Sequence, residues 1–148
     1  MPFPQGHALL IGVGSYQFAP HMNVPVTVAD AKAVERVLRD EQLCGYPSEQ
    51  VTLLCDGQAS RVGILAALDA LASRTTVRDT VLFFYAGHGD FGEDGNYYLT
   101  THDTKVVQGK VQKGTGISQQ ELITKLRNIK AQRALLIFNA FHSGAVLP

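Results

Sequence analysis

A chain of 148 residues, 45% hydrophobic and 18% charged, suits one folded domain with a single core and is too apolar for a disordered segment. Thirteen basic residues balance thirteen acidic ones, so no charge excess favours nucleic acid or an anionic membrane as partner. No apolar run nears the roughly 20 residues of a membrane span, Met1-Pro2-Phe3-Pro4-Gln5-Gly6 lacks the marks of a signal peptide, and Cys44 and Cys55 imply no disulfide framework, so a reducing cytoplasm is the expected compartment.

Residues 7–13 form a short apolar run ended by Gly12-Val13-Gly14-Ser15, which predicts a buried strand and a turn. Residues 30–40 place Ala33, Val34, Val37 and Leu38 at helical spacing. A second strand is predicted over 51–55, closed by Asp56-Gly57. Ser60 is a candidate N-cap for a helix carrying Ile64, Leu65, Leu68 and Leu71. Residues 80–85 read as a third, continuously apolar strand, and 87–95 as a loop containing four glycines. After a short strand at Tyr97-Tyr98-Leu99, the polar segment 101–116 carries Lys105, Lys110 and Lys113 and shows no apolar period. It reads as a mobile, accessible loop, open to cutting after its lysines or merely solvated by them. Ser118 can cap a helix through Leu122, Ile123 and Leu126, and 134–138 is the fourth main strand.

Repeated strand–helix order with fully apolar strands predicts an α/β fold: a mostly parallel sheet covered by helices on both faces. Ligands of such sheets bind beyond the carboxyl ends of the strands, where Gly12, Gly14, His88 and Phe141 all fall. The Gly12-x-Gly14 turn lacks the third glycine and the following helix of a nucleotide-binding fingerprint, which disfavours a flavodoxin-like binding domain.

Two motifs bear on chemistry. Phe83-Phe84-Tyr85-Ala86-Gly87-His88-Gly89 puts an imidazole among glycines at a strand end, and Ile137-Phe138-Asn139-Ala140-Phe141-His142-Ser143-Gly144 ends the fourth strand. Taken alone, His88 is either a proton-transfer group or a histidine that caps the strand end. Together the motifs resemble the two catalytic strand ends of the caspase–metacaspase clan of cysteine peptidases, with the nucleophilic Cys position occupied by Phe141. Their separation, 141 − 88 = 53, matches the spacing of roughly 50 between a caspase-type His and Cys. The resemblance extends to residues 7–16, to Val28-Ala29-Asp30-Ala31, to Val51-Thr52-Leu53-Leu54 and to the segment from Tyr98-Leu99 through Asp103.

The resemblance implies a three-layer caspase-like sandwich, with His88 as general base and Gly89 as an oxyanion donor. It also implies a pocket for the residue before the scissile bond, lined by Asp30 and by Asn139, where metacaspases have two aspartates. One carboxylate and one amide should still prefer Arg or Lys, less firmly than two carboxylates. Asp30 alone is equally a helix N-terminal carboxylate favoured by the dipole. Asp103 matches one acid of the metacaspase calcium cluster, but Gln119, Gln120 and Pro148 stand where others are expected, so no metal and no cofactor are expected. Cys55 reads as a small buried thiol, and Ser143 lacks the glycine-flanked setting of a serine nucleophile.

Phe141 leaves two accounts open: a natural pseudo-peptidase that binds or scaffolds, or an inactivated form of an active enzyme. A side chain with no nucleophilic atom excludes covalent catalysis either way. The resemblance further implies that residues 1–148 are a large-subunit-like portion stopping after the fourth main strand. Its expected partners are a peptide or protein substrate and a complementary small-subunit segment or activating protein.

Overall fold

The computed structural model describes residues 2–141, the last of these by its main chain. Among these residues lie eight strands, three of them only two residues long, and three helices. They are β1 (Gly6–Gly12), α1 (Val26–Arg39), β2 (Val51–Cys55), α2 (Arg61–Arg74), β3 (Thr80–Phe91), β4 (Tyr97–Leu99), β5 (Val106–Val107), β6 (Lys110–Val111), β7 (Ile117–Ser118), α3 (Gln119–Arg127) and β8 (Arg133–Phe141). Strands β2, β1, β3 and β8 lie side by side and parallel, while the far end of β3 continues into an antiparallel extension through β4 and β7. No helix among the described residues is long and apolar enough to cross a membrane.

Period-2 alternation divides the core between the two faces of the sheet. Leu9, Ile11, Val81, Phe83 and Tyr85 point to one side and pack with Ile64, Leu68 and Leu71 of α2 and Leu122 of α3. Ala8, Leu10, Leu82, Phe84 and Ala86 point to the other and pack with Ala31 and Leu38 of α1. Helices therefore cover both faces, as the continuous apolar strands predict. The Ser60 hydroxyl accepts the Gly63 N–H at 3.0 Å and starts α2, and Ser118 and Glu121 form a reciprocal capping box on α3.

Four expectations need correction. Helix α1 begins at Val26, one turn before residue 30, and its buried stripe is Thr27, Ala31 and Leu38, with Val37 47% exposed. Strand β3 does not stop at Tyr85 but runs through His88 and Gly89 to Phe91, because β4 folds back and pairs Gly89 with Leu99 and Phe91 with Tyr97. Segment 101–116 is not an open loop. It contains the β5–β6 hairpin, whose two-residue turn at Gln108 and Gly109 has both φ positive (51° and 76°), the geometry that matches the twist of the flanking strands. Its lysines are exposed, but Thr101, Thr104 and Thr115 bond the segment to itself. Finally, the apolar run in β8 is not covered: Leu135, Leu136 and Ile137 are 54%, 44% and 36% exposed, since β8 pairs with β3 alone among the described strands.

Candidate active site

His88 lies on β3 where the parallel neighbours end and the antiparallel extension begins. Its ring Nε2 is 2.7 Å from the Met22 carbonyl oxygen. A carbonyl has no hydrogen to give, so Nε2 is the donor in this contact. The Met22 carbonyl is presented by the single helical turn Pro20–Met22, closed by the Met22 N–H on the Ala19 carbonyl at 2.9 Å. The His88 main chain is fixed by three side chains that the sequence reading passed over, Tyr16, Tyr85 and Thr100. The single Tyr85 O–H is shared between the His88 carbonyl at 2.9 Å and the Thr100 carbonyl at 2.7 Å. Burial pushes the Tyr85 phenol well above its ordinary range and also raises Tyr16, so both stay protonated donors. Their sequence signal was weak, because a tyrosine at the end of an apolar strand reads simply as core.

His88, the buried Gly89, Asp90, Met22, His21, Val106 and Gly109 line a cleft of about 350 Å³. The β5–β6 hairpin thus walls the cleft opposite the end of β3. His21 and Asp90 are two further titratable groups in this cleft that sequence reasoning did not single out.

Asp30 and Asn139 come together although 109 positions separate them: Asn139 Nδ2 donates to Asp30 Oδ2 at 3.2 Å. With Val24, Thr27, Gly87 and Ala140 they line a second, smaller opening of about 120 Å³. Asp30 sits one full turn inside α1, and the first turn holds no acidic residue, so the helix dipole does not account for its place. The two openings share one stretch of β3, Gly87 facing the Asp30 pocket and His88 with Gly89 facing the cleft.

The register of β3 and β8 pairs His88 with Phe141 across adjacent strands. His142, Ser143 and Pro148 lie outside the described residues. Cys55 ends β2 with β1 between it and β3, and burial pushes its thiol up, so it neither reaches His88 nor ionises readily. The Gly12-x-Gly14 turn does bind an anion, but an internal one: one Asp56 carboxylate oxygen takes the Gly14 and Ser15 N–H groups, both at 2.9 Å. Asp103 is likewise engaged, accepting the Arg61 N–H at 2.9 Å and the Thr101 hydroxyl at 2.7 Å. Burial pushes its carboxyl up, but these bonds outweigh burial and hold it below the usual range. Calcium requires several anionic oxygens, and among the described residues no group of three or more His, Cys, Asp or Glu side chains is placed to hold a metal ion.

Comparison with known proteins agrees with this architecture. The family model described as the caspase domain matches residues 5–147. Among solved structures, protein GSU0716 from Geobacter sulfurreducens is similar at a TM-score of 0.71 and 20% identity, over 93% of this chain and 50% of that one. The chain therefore spans about half the length of that solved structure, and at this identity the likeness is one of fold. No curated protein matches the chain.

Proposed function

This chain belongs to the caspase-domain family, and from that premise we propose that it carries the site of a caspase-like cysteine endopeptidase cleaving after Arg or Lys, inactive as written because Phe141 stands at the nucleophile position. The observation that carries this reading is the β3–β8 register, which sets His88 beside position 141 at the mouth of a cleft. With a thiol at 141, the imidazole of His88 takes the thiol proton, and the thiolate attacks the substrate carbonyl. The Gly89 N–H stabilises the resulting oxyanion, and His88 returns the proton to the leaving amine. Asp30 pairs with a basic side chain in the smaller opening, and Asn139 adds an uncharged acceptor beside it. Asp103, Gln119 and Gln120 make the activity independent of calcium, and two unpaired cysteines suit a reducing cytoplasm.

The second reading, a non-catalytic module that holds a peptide in the same cleft, is favoured by Phe141 itself, whose ring has no nucleophilic atom. Phe141→Cys, made in this chain and in any longer product of its gene, separates the two. The peptidase reading expects cleavage of Arg- or Lys-containing peptides that iodoacetamide abolishes. A folded Phe141→Cys protein that cleaves neither basic nor acidic peptides, yet binds them, supports the pseudo-peptidase.

A further inference from the structure

We propose that Tyr16 is a positioning residue of this site, holding both the main chain of His88 and the carbonyl that orients its ring; the proposal rests on the reading of His88 as the general base. Tyr16 is 2% exposed and its ring stands 5.4 Å from the His88 ring, so packing alone suggests an ordinary core tyrosine. Its hydrogen bonds describe something more specific.

The His88 N–H can only donate, and it reaches the Tyr16 hydroxyl at 3.0 Å. The His88 carbonyl can only accept, and it takes the Thr100 hydroxyl at 2.7 Å. The Tyr16 and Thr100 hydroxyls are themselves 2.7 Å apart. If Tyr16 donates to Thr100, each hydroxyl gives one bond and takes one, and the circuit closes: His88 N–H to Tyr16, Tyr16 to Thr100, Thr100 to the His88 carbonyl. It begins and ends on one residue. Thr100 is fully buried, so an unmade bond in this circuit strands a polar atom where water does not replace it.

The main chain of Tyr16 holds the other end. Its N–H donates to the Asn23 side chain at 2.8 Å, and its carbonyl takes the Ala19 N–H at 3.2 Å. Ala19 and Asn23 flank the Pro20–Met22 turn, which presents the Met22 carbonyl to His88 Nε2. One residue therefore fixes where the imidazole is attached and which way its proton points. Loss of the phenol hydroxyl leaves the apolar ring, the turn and the bonds to the His88 carbonyl in place but frees the His88 N–H.

The test uses the chain as it stands, because the readout requires no nucleophile. In Tyr16→Phe, hydrogen exchange measured by NMR at the His88 main-chain N–H should accelerate about tenfold or more, the effect of losing one buried hydrogen bond. The Leu9 and Phe83 amides, in the same sheet, should keep their rates. Unchanged exchange at His88, or parallel acceleration at all these sites, overturns the proposal, since the second outcome marks a tyrosine that only fills the core. Should Tyr16→Phe fail to fold, Thr100→Val and Thr100→Ser decide through the same circuit. Faster His88 exchange in the valine variant and its restoration in the serine variant support the clamp, and a valine variant like the parent overturns it. A clamp seen by exchange together with an inactive Phe141→Cys protein would retire the peptidase reading and leave the clamp standing.

Discussion

Gly87→Ala gives the sharpest test of how tightly the strand end is built. A Cβ at this position lies 2.6 Å from the Tyr85 hydroxyl, 2.9 Å from the ring carbon that bears it and 3.2 Å from the Tyr16 hydroxyl. Tyr85 cannot swing aside cheaply, being fully buried and bonded to two carbonyls. The methyl must therefore overpack the site and dislodge that hydroxyl, which costs roughly 2–5 kcal/mol in all. For a domain of this size each kcal/mol moves the melting temperature about 3 °C, so a fall of roughly 6–15 °C is expected. Gly57→Ala is the control, because a Cβ there meets nothing within 4 Å. Differential scanning calorimetry reads both variants. Adding Tyr85→Phe should recover part of the loss, since the hydroxyl contact disappears while the 2.9 Å ring contact remains. A Gly87→Ala protein that melts like the Gly57→Ala control, or that costs the same with and without the Tyr85 hydroxyl, would falsify the reasoning.

Three further outcomes are expected. In the Phe141→Cys enzyme, Asp30→Ala should lower kcat/KM for Arg and Lys peptides by about 1.5–3 kcal/mol, roughly 10- to 150-fold, while Asn139→Asp should raise it; stronger cleavage after Asp in assays with matched fluorogenic peptides would show the pocket assignment to be wrong. His7, 6% exposed and beside Arg74 and Asp79, has its pKa lowered by burial, with Asp79 pulling it back up and Arg74 pushing it down. The unfolded chain therefore binds the proton more readily near its ordinary 6.5, so stability is intact above that pH and is lost as pH falls through the lower folded value; melting curves from pH 7.5 to 5 should show this fall, and His7→Asn should flatten it. Calcium should leave the melting temperature unchanged, whereas a site occupied at 100 times its dissociation constant would add about 2.7 kcal/mol and an obvious upward shift.

Local chemistry made much of this fold legible. Ser60 and Ser118 announce their helices because a hydroxyl before an apolar period has one strong use, and the unbroken runs at 7–13 and 80–85 imply cover on both faces. The misses share a cause: they depend on partners remote in sequence. Nothing near residue 88 says that β3 continues, because the continuation exists only once β4 returns to pair with Gly89. Helix α1 lost its first turn to the low helical promise of Pro25-Val26-Thr27, yet the chain turns there and seats Thr27 in the core. The β5–β6 hairpin hides behind Gln108, which adopts a positive φ that a glutamine does not advertise. Asp30, His88 and Asn139 were singled out through the motifs, but the contact of Asp30 with Asn139 joins helix α1 to β8 and depends on packing that no local pattern announces. Tyr16, Met22 and Thr100 were not readable, since a main-chain carbonyl has no sequence signature and buried hydroxyls look like core.

The doubled pairing of β3 sets the two openings on different mechanical footings. Up to Ala86 the strand is gripped on both sides by parallel neighbours, and Gly87 stands at that secured limit together with the Asp30 pocket. Beyond it the strand keeps β8 on one side through His88, then exchanges its partners for β4, and carries Gly89 and Asp90 into the cleft that the β5–β6 hairpin walls. His88 is the residue at which that exchange takes place. The outer wing is nonetheless tied to the main core, because Tyr97, Leu99 and Ile117 pack with the side chains of α2 and α3. The two openings thus draw on differently paired stretches of a single strand.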